Sequence, residues 1–325
     1  MRSHRSFVLI VLATALVATP VWSQTTIPSA NGQPWDVNDN TGGDSGYIDD
    51  GGQDAFDGWG DISLTVSDGV GILAGPSTLA GFSLTWDSGR RWATTAPVTI
   101  GDVSVSRALY APAATDYMRY VDTFTNTSGA SRYVDVVWGG NLGSNGSTTV
   151  AATSSGDLTI AANDAWAVSI ESSGFVAAGP ATDPPVGYVL GDPAMGALTS
   201  IVSYPGPGAW PGNGNDNLSY QYSLTLAPGE TARLAYFLYR GLEENSTGPL
   251  GQTPTTGEEI ALAQSVCSAL AASPDFGDLS AAEIDTFVNW SAAALVAVDV
   301  PTLSFWGALL LSGVIAVLGV RRLIG

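Results

Sequence analysis

From Trp59 onward the chain alternates apolar and polar residues in one segment after another. Ile62, Leu64 and Val66 begin the pattern, and Phe82, Leu84 and Trp86 continue it. Met118 to Phe124, Tyr133 to Trp138, the set Trp166, Val168 and Ile170, and the set Val186, Tyr188 and Leu190 follow. Successive side chains of a strand point to opposite faces, so a period of two marks a strand with one face on a core and the other toward water. The longest instance is Leu218, Tyr220, Tyr222, Leu224 and Leu226, with Ser, Gln, Ser and Thr between them. Ala227-Pro228-Gly229-Glu230 comes next, where Pro presets φ and Gly tolerates a positive value. Ala232, Leu234, Tyr236 and Leu238 then resume the alternation, which predicts a hairpin.

The period changes only near the end. Thr256 with Glu259, and Ser280 with Glu283, have the three-residue spacing of a capping box, and each opens a short helical stretch. In the first of these, Cys267 falls in phase with Ile260, Ala263 and Leu270, the placement of a buried small hydrophobe. Residues 24–58 are rich in Gly, Asp, Asn and Pro and read as irregular. The fold class expected is all-β: an antiparallel β-sandwich ectodomain with two short C-terminal helices and a single C-terminal transmembrane helix. The expected division is 1–23 signal peptide, 24–58 acidic segment, 59–250 sandwich (one body or two subdomains), 251–299 helical stalk and 300–325 sorting signal.

Both ends of the chain carry export signals. Arg2 and Arg5 precede an apolar run from Phe7 to Val17 and the small-residue site Val21-Trp22-Ser23, which predicts a cleaved secretory signal with Gln24 as the mature start. At the other end, Leu303 to Val320 carry no charge. A helix of that length is about 27 Å long, enough to span a bilayer core. Arg321 and Arg322 follow it at once, so the positive-inside bias puts the tail in the cytoplasm and the bulk of the chain outside.

Just ahead of the apolar run stand Val300, Pro301, Thr302, Leu303, Ser304, Phe305, Trp306 and Gly307. The block closely resembles the IPTL-CTERM sorting signal of Gram-negative bacterial surface proteins: a Pro-Thr-Leu-Ser-x-Trp-Gly motif, an apolar helix and an arginine cluster. Val300 departs, conservatively, from the usual Ile. The resemblance implies recognition by an exosortase-type membrane transpeptidase that cuts near the motif and delivers the ectodomain to the cell surface. A permanent tail anchor, with Pro301 opening the helix and Trp306 in the interfacial belt, is the plainer alternative. Tyr117 to Asp157 is similar to a β-sandwich module of secreted bacterial surface proteins. The similar pieces are the Tyr120-Val121-Asp122-x-Phe124-x-Asn126 strand, the Gly-Ser-Asn-Gly turn at Asn145 and the block Ser154 to Asp157. That likeness implies a fold and no activity.

Charge and composition narrow the function. Every basic residue is Arg; without the four in the two terminal segments, seven remain against thirty carboxylates, a formal charge of −23. Such a surface repels nucleic acid and anionic lipid, and is compatible with cations, neutral glycans and basic proteins. The single histidine, His4, lies in the signal segment, so the mature chain has no histidine-activated nucleophile and no histidine-ligated zinc. One cysteine makes no internal disulfide.

Three candidate chemistries survive. Asp36, Asn38 and Asn40 offer oxygens at alternate positions, with Asp44, Asp49 and Asp50 close behind, a donor set suited to calcium but without the EF-hand spacing. A solvated Asp-Gly loop is the alternative. Trp35, Trp59, Trp92 and Trp210 lie in loop-like text where exposed rings stack on sugars. Finally, a glycosidase needs only two carboxyls at a set separation. The leading functional expectation is a non-enzymatic, structural or adhesive surface protein, with glycan binding second and carboxylate hydrolysis third.

Overall fold

The computed structural model describes residues 24–39, 43–49, 55–144, 148–171, 183–203, 216–242, 248, 250–252 and 255–291. In chain order the first strands are β1 (Thr25–Pro28), β2 (Pro34–Val37), β3 (Ile48–Asp49), β4 (Phe56–Ser67), β5 (Ile72–Thr78) and β6 (Leu84–Trp86). Next come β7 (Arg91–Thr94), β8 (Val98–Ile100), β9 (Val103–Tyr110), β10 (Tyr117–Asn126), β11 (Arg132–Leu142) and β12 (Thr148–Thr153). The series ends with β13 (Trp166–Glu171), β14 (Val186–Val189), β15 (Leu198–Ser203), β16 (Asn217–Leu226) and β17 (Thr231–Arg240), then helices α1 (Thr256–Ala272) and α2 (Ala281–Ile284). Two antiparallel sheets result. Sheet A runs β1-β2-β3-β4-β11-β16-β15, with β5 also on β4; sheet B runs β12-β13-β14-β17-β10-β9-β7-β6, with β8 also on β9.

The sheets pack face to face through the apolar phase of the alternation. Ile62, Leu64 and Val66 of β4, Val134, Val136 and Trp138 of β11, and Tyr220, Tyr222 and Leu224 of β16 supply one side. Tyr120 and Phe124 of β10, Tyr188 of β14, and Leu234, Tyr236 and Leu238 of β17 supply the other. Trp138 stacks on Tyr236 across the gap, centroids 4.5 Å apart and planes 7° from parallel, while Trp59 meets Trp138 edge-on at 5.9 Å. Such pairs add about 0.5–1.5 kcal/mol each beyond the area they bury.

One ion pair is sealed inside this core. Arg107 of β9 lies opposite Asp122 of β10, and the two side chains are fully buried. The guanidinium donates twice to the carboxylate, from Nε at 2.8 Å and Nη2 at 2.9 Å. Its Nη1 crosses to the other sheet, donating to the carbonyls of Gly60 (2.5 Å) and Ser45 (2.7 Å). Gly60 has φ +103°, and a Cβ there would stand 2.5 Å from the Tyr120 hydroxyl, so only glycine admits the approach.

A third layer covers part of the outer face of sheet B. α1 seats Ala263, Cys267 and Leu270 on it, and the segment after α1 adds Phe276, Phe287 and Trp290 against Phe237. Gly187 of β14 lets the helix come close: a Cβ there would lie 2.4 Å from the Cys267 sulfur. Cys267 is the buried hydrophobe that its phase predicts, and burial pushes its thiol pKa far above the ordinary value.

Three expectations change. Residues 24–58 do not stay irregular: β1, β2 and β3 extend sheet A, and Trp35, Val37, Ile48 and Phe56 enter the core. The expected hairpin at 218–238 is an arch instead, since β16 pairs with β11 and β15 in sheet A while β17 pairs with β10 and β14 in sheet B. The reason lies in β17, whose Ala235, Phe237 and Tyr239 are as buried as Leu234, Tyr236 and Leu238; only a strand lying between two layers covers both faces. Asn126, fully buried at the end of β10, donates to the carbonyls of Ala130, Leu226 and Ala227, tying this arch to the neighbouring one from β10 to β11. Third, the box at Ser280 and Glu283 forms, but the first helix is capped one residue earlier, by Thr255 with Glu258. Glu259 is freed to turn inward and accept from the Leu242 amide at 2.8 Å.

Truncating Arg107 to Leu strands Asp122 in the core and is expected to cost about 3–5 kcal/mol in chemical denaturation. Replacing both partners with leucine restores most of that loss; equal losses in single and double variants would show that the pair is not the linkage described.

Candidate functional site

Of the residues singled out as calcium ligands, Asp36 and Asp49 stand side by side across β2 and β3. Asp44 is buried and accepts from the Leu84 amide, holding the loop before β6. The Asn38 amide donates to the Tyr47 carbonyl at 2.9 Å, and its own carbonyl accepts from Gly46. Asp36, Asp49 and Asp57 stand opposite one another across β2, β3 and β4, a single carboxylate row. Burial raises the Asp49 pKa, and the charges of Asp57 and Asp36 raise it further. Asn40 and Asp50 lie outside the described residues, and among the described residues no three His, Cys, Asp or Glu are grouped to hold a metal.

Nor are the tryptophans a sugar platform. Trp35, Trp59 and Trp92 are fully buried, and Trp210 lies outside the described residues. Loop-like composition misled here because short strands separated by Gly and Pro read as loop, while their rings fill the core. The sorting residues Val300, Pro301, Thr302, Leu303, Ser304, Trp306, Gly307, Arg321 and Arg322, with the apolar run, also fall outside the described residues. Among the described residues no helix is long and apolar enough to cross a membrane.

What the structure does assemble is a groove of about 330 Å³ on the outer face of sheet B, beside the helical layer. Strand register builds it. One cross-strand row reads Arg91, Tyr110, Arg119 and Phe237. The next reads Thr85, Ala93, Ala108, Val121 and Ala235, and the third Ser106, Thr123 and Arg233. The long first row thus overlooks a floor of smaller side chains, and Arg233 alone rises from the far row. Arg119 and Thr123, which mark the two flanking rows, are about 13 Å apart along β10 at the usual rise of a strand. Asp278, Leu279 and Glu283 form the wall.

The ionic groups here are paired. Arg119 donates to both Asp278 oxygens (2.7 and 2.8 Å), and Arg91 reaches the same carboxylate at 3.1 Å. The Arg91 guanidinium also lies 4.3 Å from the Tyr110 ring centre. Partial burial would raise the Asp278 pKa, but the Arg119 hydrogen bonds and charge outweigh it and hold the carboxyl below its ordinary value. Glu283 is held low by the Ser280 hydroxyl and amide that it caps. Arg233 donates from Nη1 to the Thr286 hydroxyl at 2.5 Å. Sequence reasoning passed over these arginines. Arg119 and Arg233 each occupy the polar phase of an alternating strand, which signals an outward side chain, but their convergence depends on register.

Two carboxylates give opposite pH responses. The lowered Asp278 pKa means its stabilisation is present above 3.8 and is lost as the pH falls from there through the folded value. Asp278→Asn should therefore lower the melting temperature at pH 7, with the gap to wild type closing on acidification. The raised Asp49 pKa means the fold is penalised as the pH rises from 3.8 through its folded value. Asp49→Asn should therefore raise the melting temperature at pH 7 and leave it unchanged below 3.8. If the carboxylate row instead holds calcium, the added ion will stabilise wild type and Asp49→Asn will abolish the effect.

No family model and no curated protein matches this chain. Among solved structures the chain is similar to a polysaccharide lyase, at 14% identity and a TM-score of 0.39, over 69% of this chain and 32% of the lyase. The chain spans about a third of that protein's length, and so loose a likeness assigns no residue a role.

Proposed function

We propose that this chain is an exported surface protein, cut and sorted through its C-terminal signal, whose β-sandwich body serves a structural or adhesive role at the cell envelope. The observation that carries the proposal is the order of the text from Val300 to Arg322: Pro-Thr-Leu-Ser-x-Trp-Gly, then an uncharged run of membrane-spanning length, then paired arginines. The body suits such a role. Its stability rests on a broad aromatic core and a buried ion pair, so it needs no disulfide, and its only cysteine is buried.

Binding is preferred to catalysis because the groove's two wall carboxyls, Asp278 and Glu283, are already held by partners, Asp278 by arginines and Glu283 by a helix cap. A glycosidase needs one carboxyl with a raised pKa as proton donor, roughly 5–9.5 Å from its partner. Asp278 and Glu283 are both shifted the other way, one by arginines and one by a helix cap. A glycan-binding body is the second reading, supported by the groove itself.

Mass spectrometry of the native C-terminus, beside cell fractionation, tests the sorting proposal. Cleavage near Pro301 with the body in the outer envelope is expected. A chain that keeps Arg321 and Arg322 and stays in the inner membrane would overturn sorting in favour of a permanent anchor.

A further inference from the structure

We infer that the groove across β7, β9, β10 and β17 binds an extended, uncharged oligosaccharide, with Arg91 and Arg233 as its hydrogen-bonding ends. The inference deepens the adhesive reading by giving it a ligand. Its first support is shape. Ala93 and Ala108 keep the floor low beside the long row Arg91, Tyr110 and Arg119, with Arg233 rising at the far corner. Arg91 and Arg233 stand at diagonal corners, three strands apart and four residues along, so their Cα atoms are about 20 Å apart by strand spacing and rise. A ligand bonded to both guanidiniums lies diagonally across the groove floor and is larger than a single ion.

The second support is unspent hydrogen-bonding capacity. Arg91 uses Nε on Asp278, and Arg233 uses Nη1 on Thr286, which leaves both Nη groups of Arg91 and the Nε and Nη2 of Arg233 without a partner among the described residues. Thr85, Ser106 and Thr123 add hydroxyls along the floor and far rim. Asp87, whose Oδ1 accepts the Gly89 and Arg91 amides, and Glu283, whose Oε2 is taken by Ser280, keep one oxygen each. Donors and acceptors therefore both face the groove, which suits sugar hydroxyls, since each can give and take a hydrogen bond.

Charge decides between neutral and acidic sugars. Arg107 under the floor is neutralised by Asp122; the remaining lining charges are Asp87, Asp278 and Glu283 against Arg91, Arg119 and Arg233, so within a Debye length of about 8 Å the groove is balanced. Beyond that, a body of formal charge −23 repels polyanions. Topology weighs against a peptide. β7, β9, β10 and β17 are each paired on both sides, so a peptide adding as a strand is confined to the short edge strand β6 and does not lie along the groove floor.

The test applies the purified full chain, in detergent, to a printed array of neutral oligosaccharides, uronate-bearing oligosaccharides and acidic peptides. Binding of one or more neutral oligosaccharides is expected, with uronate-bearing analogues at least about tenfold weaker. Arg91→Gln and Arg233→Gln should each weaken binding about tenfold, the usual scale for a hydrogen bond from a charged donor. Ala108→Phe, which fills the floor from a half-exposed position, should abolish binding while leaving the melting temperature unchanged. Silence of the array, preference for uronates or peptides, or a stable Ala108→Phe chain that still binds would each overturn the inference. Because binding is read on isolated protein, its failure is distinct from a failure of sorting, which is read on the native C-terminus.

Discussion

The fold turns on a guanidinium with no access to water. Arg107 leaves its own sheet to bond the Gly60 and Ser45 carbonyls, and Asp122 holds the other side of the fork. An unpaired charge in this core would be very costly, so every donor must find its acceptor at once. That requirement fixes three things together: the register of β9 on β10, the distance between the sheets at Gly60, and the path of the segment through Ser45. The same segment carries Asp44, whose carboxylate pins the loop before β6. Residues that read as an acidic linker are thus held to the core by one arginine and one amide.

Sheet B is a middle layer, and most of the architecture follows from that. β17 must cover two faces, so the chain arches from sheet A into sheet B at Ala227 and does not fold back beside β16. The two arches at this end share Asn126, which satisfies three carbonyls that an ordinary hairpin would have paired along its ladder. On the far side of sheet B the helical layer meets β7 through Asp278, which bonds Arg91. The groove lies at that border. There, alanines face outward where the strands farther along carry Phe237 and Tyr239 under the helix.

The charge distribution of the β-sandwich body supports the same division between interior and surface. Of seven arginines, Arg107 and Arg240 are buried to 1%, and three others line the groove, so little positive charge is left for the rest of an acidic exterior. Such a surface makes copies of the chain repel one another. It also leaves the paired groups of the groove as a place where a polar, uncharged ligand meets directed donors.

Period alone was enough to establish an all-β body, most of its strands, the box at Ser280 and the burial of Cys267, because each depends on neighbours within a few residues. The export signals expected at the two ends are equally local, resting on charge and apolar length alone. What no local pattern holds is which strand lies beside which. Trp59 and Trp92 stand in Gly- and Asp-rich text yet are buried because distant strands close over them. Tyr222 and Tyr236 flank a turn that reads as a hairpin, yet they meet across two sheets, 5.2 Å apart. The groove is the sharpest case: Arg91, Arg119 and Arg233 are separated by up to 142 positions, and only register brings them to one face. Sequence determined the elements; the tertiary structure decided the partners, because burying a strand on both faces is a demand that only the whole fold can meet.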